Sequence, residues 1–335
     1  MKNWGLLREL LLATGMIFIL VSGLWALTGN MPPVVVVESS SMIHVEEGEV
    51  GSIDAGDLIL VHSPTRKNIV TYAEAIDEKN INYGVSSHGM AGDVIVYLKN
   101  GGPQTPIIHR AILKVVANDT MSPNRTNDST SCPSNYTLDE YTTDPDDKIK
   151  GTCVRTWDIP GTTIRNQEKI SWDFTKYKCD LTDNGAHAKI LRIIDWVPEQ
   201  EGYLTLGDNN HCNIDQGRSV TNGTTGDGLR DWNSKQVKPV RDEWVEGVAG
   251  AEIPWLGAVK LMTLSISDDS SPGISYVPKS TWISLSLTII VLFMIPFIME
   301  PLAIHFISRS PEIDSFEQEE ELDQIVFGTR LVEEE

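Results

Sequence analysis

Hydrophobic positions along the chain fall into runs of two kinds. Residues 10–27 contain no charged side chain, and as a helix they would measure about 27 Å, close to the apolar thickness of a bilayer. Residues 282–299 repeat that pattern near the other end. Between them the apolar runs are short and rich in Val, Ile and Leu: residues 34–37, 57–61, 93–98, 107–116, 189–194 and 203–206, divided by Gly, Pro and Asn. Runs of that length and composition predict strands, so the pattern predicts a mostly β domain flanked by N- and C-terminal transmembrane helices.

The charges beside the long runs orient them. Lys2 and Arg8 precede the first, and His305 and Arg309 follow the second. The positive-inside rule then puts both termini in the cytoplasm and the central domain outside a cell membrane crossed twice. A basic start before an apolar run also suits a cleaved signal peptide, but no A-x-A site follows near Thr28, which favours a retained anchor. The expected organisation is a cytoplasmic N-terminus (1–9), a transmembrane helix (10–28) and a β domain in two parts (32–116 and 189–265). A region inserted at 117–188 separates those parts, and a second transmembrane helix (282–300) and a cytoplasmic tail (310–335) follow.

Composition changes that picture in three places. The insertion is rich in Thr, Asn, Asp and Ser and holds Cys132, Cys153 and Cys179 with the N-x-S/T sequons at Asn118, Asn124, Asn127 and Asn135; Cys212 and the sequon at Asn222 lie beyond it. Cysteines and sequons together favour an oxidising exterior, with two disulfides allowed in any of three pairings. The tail carries ten carboxylates between Glu312 and Glu335 against Arg330 alone, and reads as solvated. The net charge of -20 excludes a nucleic-acid partner, since no basic groove can replace phosphate counterions.

Chemistry concentrates at three strand ends. Val34-Val-Val-Val-Glu-Ser-Ser-Ser-Met42 is a buried-strand pattern that stops in three serines just past the first anchor. Serines often end a strand by bonding backbone, so this segment alone names no nucleophile. Gly92-Asp-Val-Ile-Val-Tyr97 precedes Ile107-Ile-His-Arg110, a second strand ending in a histidine. Gly202-Tyr-Leu-Thr-Leu-Gly-Asp-Asn-Asn210, with Asp215 after it, offers carboxylates beside a tight turn. Ser, His and Asp on separate strand ends can converge as nucleophile, base and orienter. His44, His62, His88, His187 and His211 lack metal-ligand spacing, and no C-x-x-C pair is present, so neither metal nor cofactor is expected.

Taken in order, Ser39-Ser-Ser-Met42, Gly92-Asp93, His109-Arg110, Gly207-Asp-Asn-Asn210 with Asp215, and Ile253-Pro-Trp-Leu-Gly257 resemble the boxes of type I signal peptidases. The resemblance is to the archaeal and endoplasmic-reticulum form, in which His stands where the typical bacterial enzyme has Lys. It spans about residues 32–261 without the insertion. It implies a signal peptidase-like β catalytic domain in which Ser41 is the nucleophile and His109 the general base. Asp215 is the preferred partner of His109, and Asp208 is the other candidate acid, with a role in organising the turn. Ser39 and the backbone N–H of Ser41 would form the oxyanion hole. The chain departs from the family pattern at Ser40, where Gly is usual, at Ile43-His44, where an acidic residue and Pro are usual, and at Asp215, one residue farther from Asp208 than expected. The implied substrates are preprotein signal peptides cut after a small-x-small motif, with the lipid bilayer and the translocon as further partners. The competing reading from another class is a catalytically inactive or accessory surface glycoprotein of the same fold.

Overall fold

The computed structural model describes residues 2–43, 51–121, 153–178, 190–198, 200–210, 213–216, 237–267 and 272–307. The chain forms two compact units, residues 1–281 and 282–335. The first begins with helix α1 (Lys2–Thr28). Its apolar face is continuous around the helix, and residues Leu7–Thr28 are long and apolar enough to cross a membrane. The last carbonyls of a helix lack partners within it, and here the sheet domain supplies them. Arg66 Nη1 donates to the Ala26 carbonyl at 2.7 Å, and the Ser63 N–H donates to that of Thr28 at 2.9 Å. Gly29, at φ +69°, ends the helix in the left-handed conformation that glycine tolerates. The helix is thereby fastened to the domain that follows it.

That domain is a seven-stranded antiparallel sheet. Its strands are β1 (Val34–Val36), β2 (Leu58–His62), β5 (Val94–Tyr97), β6 (Ile107–Met121), β7 (Cys153–Asp158), β10 (Gly202–Leu206) and β11 (Val245–Ile253), in the order β1-β2-β11-β5-β6-β10 with β7 also on β6. Between β2 and β5 lie the short helix α2 (Tyr72–Ile76) and a hairpin of β3 (Ser86–Ser87) and β4 (Met90–Ala91); β8 (Ile170–Lys178) pairs with β9 (Ile190–Trp196) as a separate ribbon. Helix α2 starts at a capping box, with Thr71 Oγ1 accepting from the Glu74 N–H at 3.3 Å and Glu74 Oε2 accepting from the Thr71 N–H at 2.9 Å. Every residue of β5 and β10 is buried, as central and covered strands should be. Helix α3 (Ala258–Ser267) follows the sheet. Helix α4 (Lys279–Ile307) supplies the second segment able to cross a membrane, Lys279–Pro301.

All six short runs named from the sequence fall on strands. Strand β6 is longer than its run, because its second half pairs with β7 over Val116–Met121. Part of the region expected as an insertion at 117–188 therefore belongs to the core of the sheet domain. Trp157, Ile159 and Ile170 are buried together with Ile112, Leu113, Leu204 and Leu206 of the main sheet. Their apolar positions are too widely spaced among Thr, Asn and Asp to show a period in sequence. The sequons at Asn124, Asn127, Asn135 and Asn222, Cys132, Cys179, Cys212, the cysteine pairing and the acidic tail lie outside the described residues.

Candidate active site

The loop that carries Ser41 grows from β1. Beyond the strand, the Val37 N–H donates to the Asp57 carbonyl and the Gly56 N–H to the Val37 carbonyl, both at 3.0 Å, so the segment stays extended up to the serines. The chain then turns, with the Ile43 N–H reaching the Ser40 carbonyl at 3.3 Å. Met42 is wholly buried among Val37, Ile53, Ile59, Val94 and Ala249. Driving that side chain inward leaves its neighbour Ser41 half-buried at the surface of the sheet.

His109 comes from β6, where it lies opposite Ile95 of β5. Its Nε2 is 3.0 Å from Ser41 Oγ, and its Nδ1 is 2.6 Å from Asp215 Oδ2. With the Nδ1 hydrogen directed to the carboxylate, the lone pair of Nε2 faces the serine hydroxyl, the tautomer a general base requires. Ser39 Oγ lies 3.1 Å from Ser41 Oγ. When Ser41 donates to His109, Ser39 is the donor of that contact, a hydroxyl already aimed at the reacting centre.

Of the two carboxylates, only Asp215 meets His109. Asp208 is held by Arg110, whose Nε and Nη2 reach its two oxygens at 2.8 and 2.7 Å, and neither side chain has any solvent exposure. The same guanidinium donates from Nη1 to the carbonyls of Ser87 at 3.0 Å and Gly92 at 2.8 Å. It therefore ties the β3–β4 hairpin to the turn after β10. That turn grips the nucleophile loop: the Asn209 N–H donates to the Ser41 carbonyl at 2.8 Å, and Asn209 Nδ2 to the Ser40 carbonyl at 3.1 Å. Gly207 sits in the same crevice, where a Cβ would stand 2.7 Å from the Ser41 carbonyl oxygen and 2.8 Å from His109 Nε2.

The other boxes brace the frame. Gly92, at φ +76°, passes so close to Tyr72 that a Cβ would lie 2.6 Å from its backbone nitrogen. Asp93 accepts from Lys67 Nζ and from the Val70 N–H, each at 2.9 Å. The Asp57 carboxyl accepts the N–H groups of Trp255 and Asp54, both at 2.9 Å, joining the Ile253–Gly257 segment to the turn before β2; burial raises its pKa above the usual carboxylate range.

Three residues in contact with Asp215, directly or through one bond, were not singled out from sequence. Tyr97 OH and Thr205 Oγ1 donate to Asp215 Oδ2 at 2.8 and 2.7 Å, and Gln216 Nε2 donates to Thr205 Oγ1 at 2.9 Å. The available signal was strand parity. Tyr97 lies two residues along β5 from the partner of His109, and Thr205 pairs with Ala111, two residues along β6, so all three share one face of adjacent strands. Burial first, and the charge of Asp215 next, push the Tyr97 hydroxyl well above its ordinary pKa and keep it a donor.

Among the histidines without a place in the relay, His88 is half-buried beside Arg110 and Asp208. Burial first, then the Arg110 charge, pushes its pKa down to about 4, against weaker opposing contributions from Asp208 and a bond to Gly250. His44, His187 and His211 lie outside the described residues. Among the described residues no three His, Cys, Asp or Glu side chains gather as a metal site would require. Compared with known proteins, the chain matches no family model, no curated protein and no solved structure.

Proposed function

We propose that this chain is a membrane-anchored serine endopeptidase of the signal peptidase I kind, which removes signal peptides from translocated preproteins. The observation that carries the reading is the relay from Ser41 Oγ through His109 to Asp215, at 3.0 and 2.6 Å. The sequence order of the boxes and the two flanking apolar helices support it. In this reading the antiparallel sheet is a signal peptidase-like catalytic domain on the extracellular side, with both termini cytoplasmic.

The chemistry follows from the geometry. Neutral His109 takes the Ser41 proton on Nε2 as Oγ attacks the scissile carbonyl, while Asp215 stabilises the imidazolium that forms. The tetrahedral oxyanion is met by the Ser41 N–H and the Ser39 hydroxyl. The imidazolium gives its proton to the departing amine, leaving an acyl-enzyme on Ser41. Water then attacks that ester, with His109 again as base.

The anchor bears on the substrate. Twelve residues separate Thr28, the end of α1, from Ser41, and the helix end is bonded to the sheet domain. A cleavage site must then arrive close to the membrane surface, where the end of a signal peptide lies. The test is the purified full-length protein in detergent with a secretory preprotein. Ser41→Ala and His109→Ala should each lower the cleavage rate by at least about 10³-fold. Cleavage by both variants at the wild-type rate would sink the assignment.

A further inference from the structure

The acid of the relay is itself held by three side-chain donors that meet on one oxygen. Asp215 is nearly fully buried, and one of its oxygens, Oδ2, receives His109 Nδ1 at 2.6 Å, Thr205 Oγ1 at 2.7 Å and Tyr97 OH at 2.8 Å. The residue is also docked from behind. The Asp215 N–H donates to the Thr205 carbonyl at 2.9 Å, the Thr205 N–H donates to Gln216 Oε1 at 2.8 Å, and Gln216 Nε2 returns a hydrogen to Thr205 Oγ1 at 2.9 Å. Thr205 Oγ1 thus accepts from Gln216, and its hydrogen has two acceptors in reach, Asp215 Oδ2 at 2.7 Å and Tyr97 OH at 3.0 Å, of which the carboxylate is the nearer and the charged one. Tyr97 and Thr205 are wholly inaccessible to solvent.

A core that only needed filling would hold Phe and Val at these two places. Polar groups sealed from water are costly unless bonded, and here both hydroxyls converge on the atom that orients the base. We propose that Tyr97 and Thr205 are positioning residues of the Ser41–His109 pair, acting through Asp215: they fix the carboxylate so that Oδ2 holds the imidazole with Nε2 facing Ser41. The proposal rests on the serine-hydrolase reading of the site. It assigns neither residue contact with substrate, so their removal slows turnover without weakening substrate binding.

The test uses full-length protein and two readouts. The first is the rate at which a fluorophosphonate labels Ser41, which depends on serine activation and not on the natural substrate. The second is kcat and KM on a secretory preprotein. Tyr97→Phe and Thr205→Val are nearly isosteric, and each should lower labelling and kcat about 10-fold, with the double variant near 10²-fold and KM within about twofold. Thr205→Ser, which keeps the hydroxyl and loses the methyl, should restore at least half of the wild-type rate. A folded double variant that labels at the wild-type rate overturns the proposal. So does Thr205→Ser that is as slow as Thr205→Val, since packing and not the hydroxyl would then be responsible. A wild-type protein that labels at Ser41 yet cleaves no preprotein refutes the substrate assignment alone, and the labelling rates of the variants still decide the role of Tyr97 and Thr205. Failure of the wild type to label refutes both.

Discussion

Gly207→Ala isolates the geometry of the site from its chemistry, because it adds one methyl group and removes nothing. The backbone at Gly207 does not occupy the left-handed region, so alanine is conformationally admissible there and the effect is steric. The added Cβ would stand 2.7 Å from the Ser41 carbonyl oxygen, 2.8 Å from Asn210 Nδ2 and 2.8 Å from His109 Nε2, where ordinary contact begins at 3.4 Å. Each neighbour must therefore retreat by about 0.6 to 0.7 Å, and two of the three belong to Ser41 and His109. A displacement near 1 Å in a reacting pair costs up to about 10²-fold in rate, so the variant should lose 10-fold to 10²-fold in kcat. The assay is preprotein cleavage and fluorophosphonate labelling in parallel, with Gly102→Ala as control. Gly102 has φ -83°, and a Cβ there would approach nothing closer than the Lys99 carbonyl at 3.4 Å. Wild-type kcat and labelling in a folded Gly207→Ala protein would refute the geometry derived for the site.

Two further outcomes concern stability. Arg110→Met strips the buried Asp208 carboxylate of its guanidinium and should destabilise the sheet domain by about 3–5 kcal/mol in thermal denaturation. Adding Asp208→Asn should recover part of the loss because no buried charge then remains; a double variant no better than the single one contradicts the account. His88 should make stability fall on acidification: its pKa is near 4 when folded and near 6.5 when unfolded, so between those values the unfolded chain binds the extra proton. The loss reaches about 3 kcal/mol by pH 4 and grows no further below it. His88→Asn, which suits the local φ of +50°, should flatten that part of a melting-temperature profile from pH 7 to 4, and an unchanged slope would exclude His88 as its source.

The sequence disclosed elements where composition and period agreed, and hid them where packing made the choice. Val94–Tyr97 and Gly202–Leu206 are apolar without interruption, and both are buried strands. Strand β11, Val-Glu-Gly-Val-Ala-Gly-Ala-Glu-Ile, is central to the sheet but reads poorly as a strand, because two glycines interrupt it. They are required by the neighbouring strand: a Cβ at Gly247 would stand 2.2 Å from Val61 Cγ1, and one at Gly250 would stand 2.5 Å from the His62 ring. No local rule anticipates a glycine demanded by another strand. The site divides in the same way. Ser41, His109 and Asp215 were legible as residue types beside apolar runs, although His109 lies near the start of β6 and does not end a strand. Tyr97 and Thr205 were not, because their roles depend on the register of β5 and β10 against β6.

That register explains how one strand serves two purposes. Successive side chains of β6 point to opposite faces, so His109 turns toward Ser41 and Asp215 while Arg110 turns the other way to Asp208. A slip of β6 by one residue would, according to its direction, put either the guanidinium in the place of His109 or the imidazole beside Asp208. The Arg110–Asp208 pair opposes such a slip, since its geometry closes in one register only, and the same pair holds the turn whose Asn209 binds the carbonyls of Ser40 and Ser41. Strands β1 and β10 are the two ends of the strand order, and the loops that leave them meet at Asn209. The relay is thus assembled where the sheet's two ends are drawn together. Loosening the 207–210 turn should displace Ser41 from His109 before it disturbs the buried strands, which makes catalytic rate a more sensitive reporter of this turn than thermal stability.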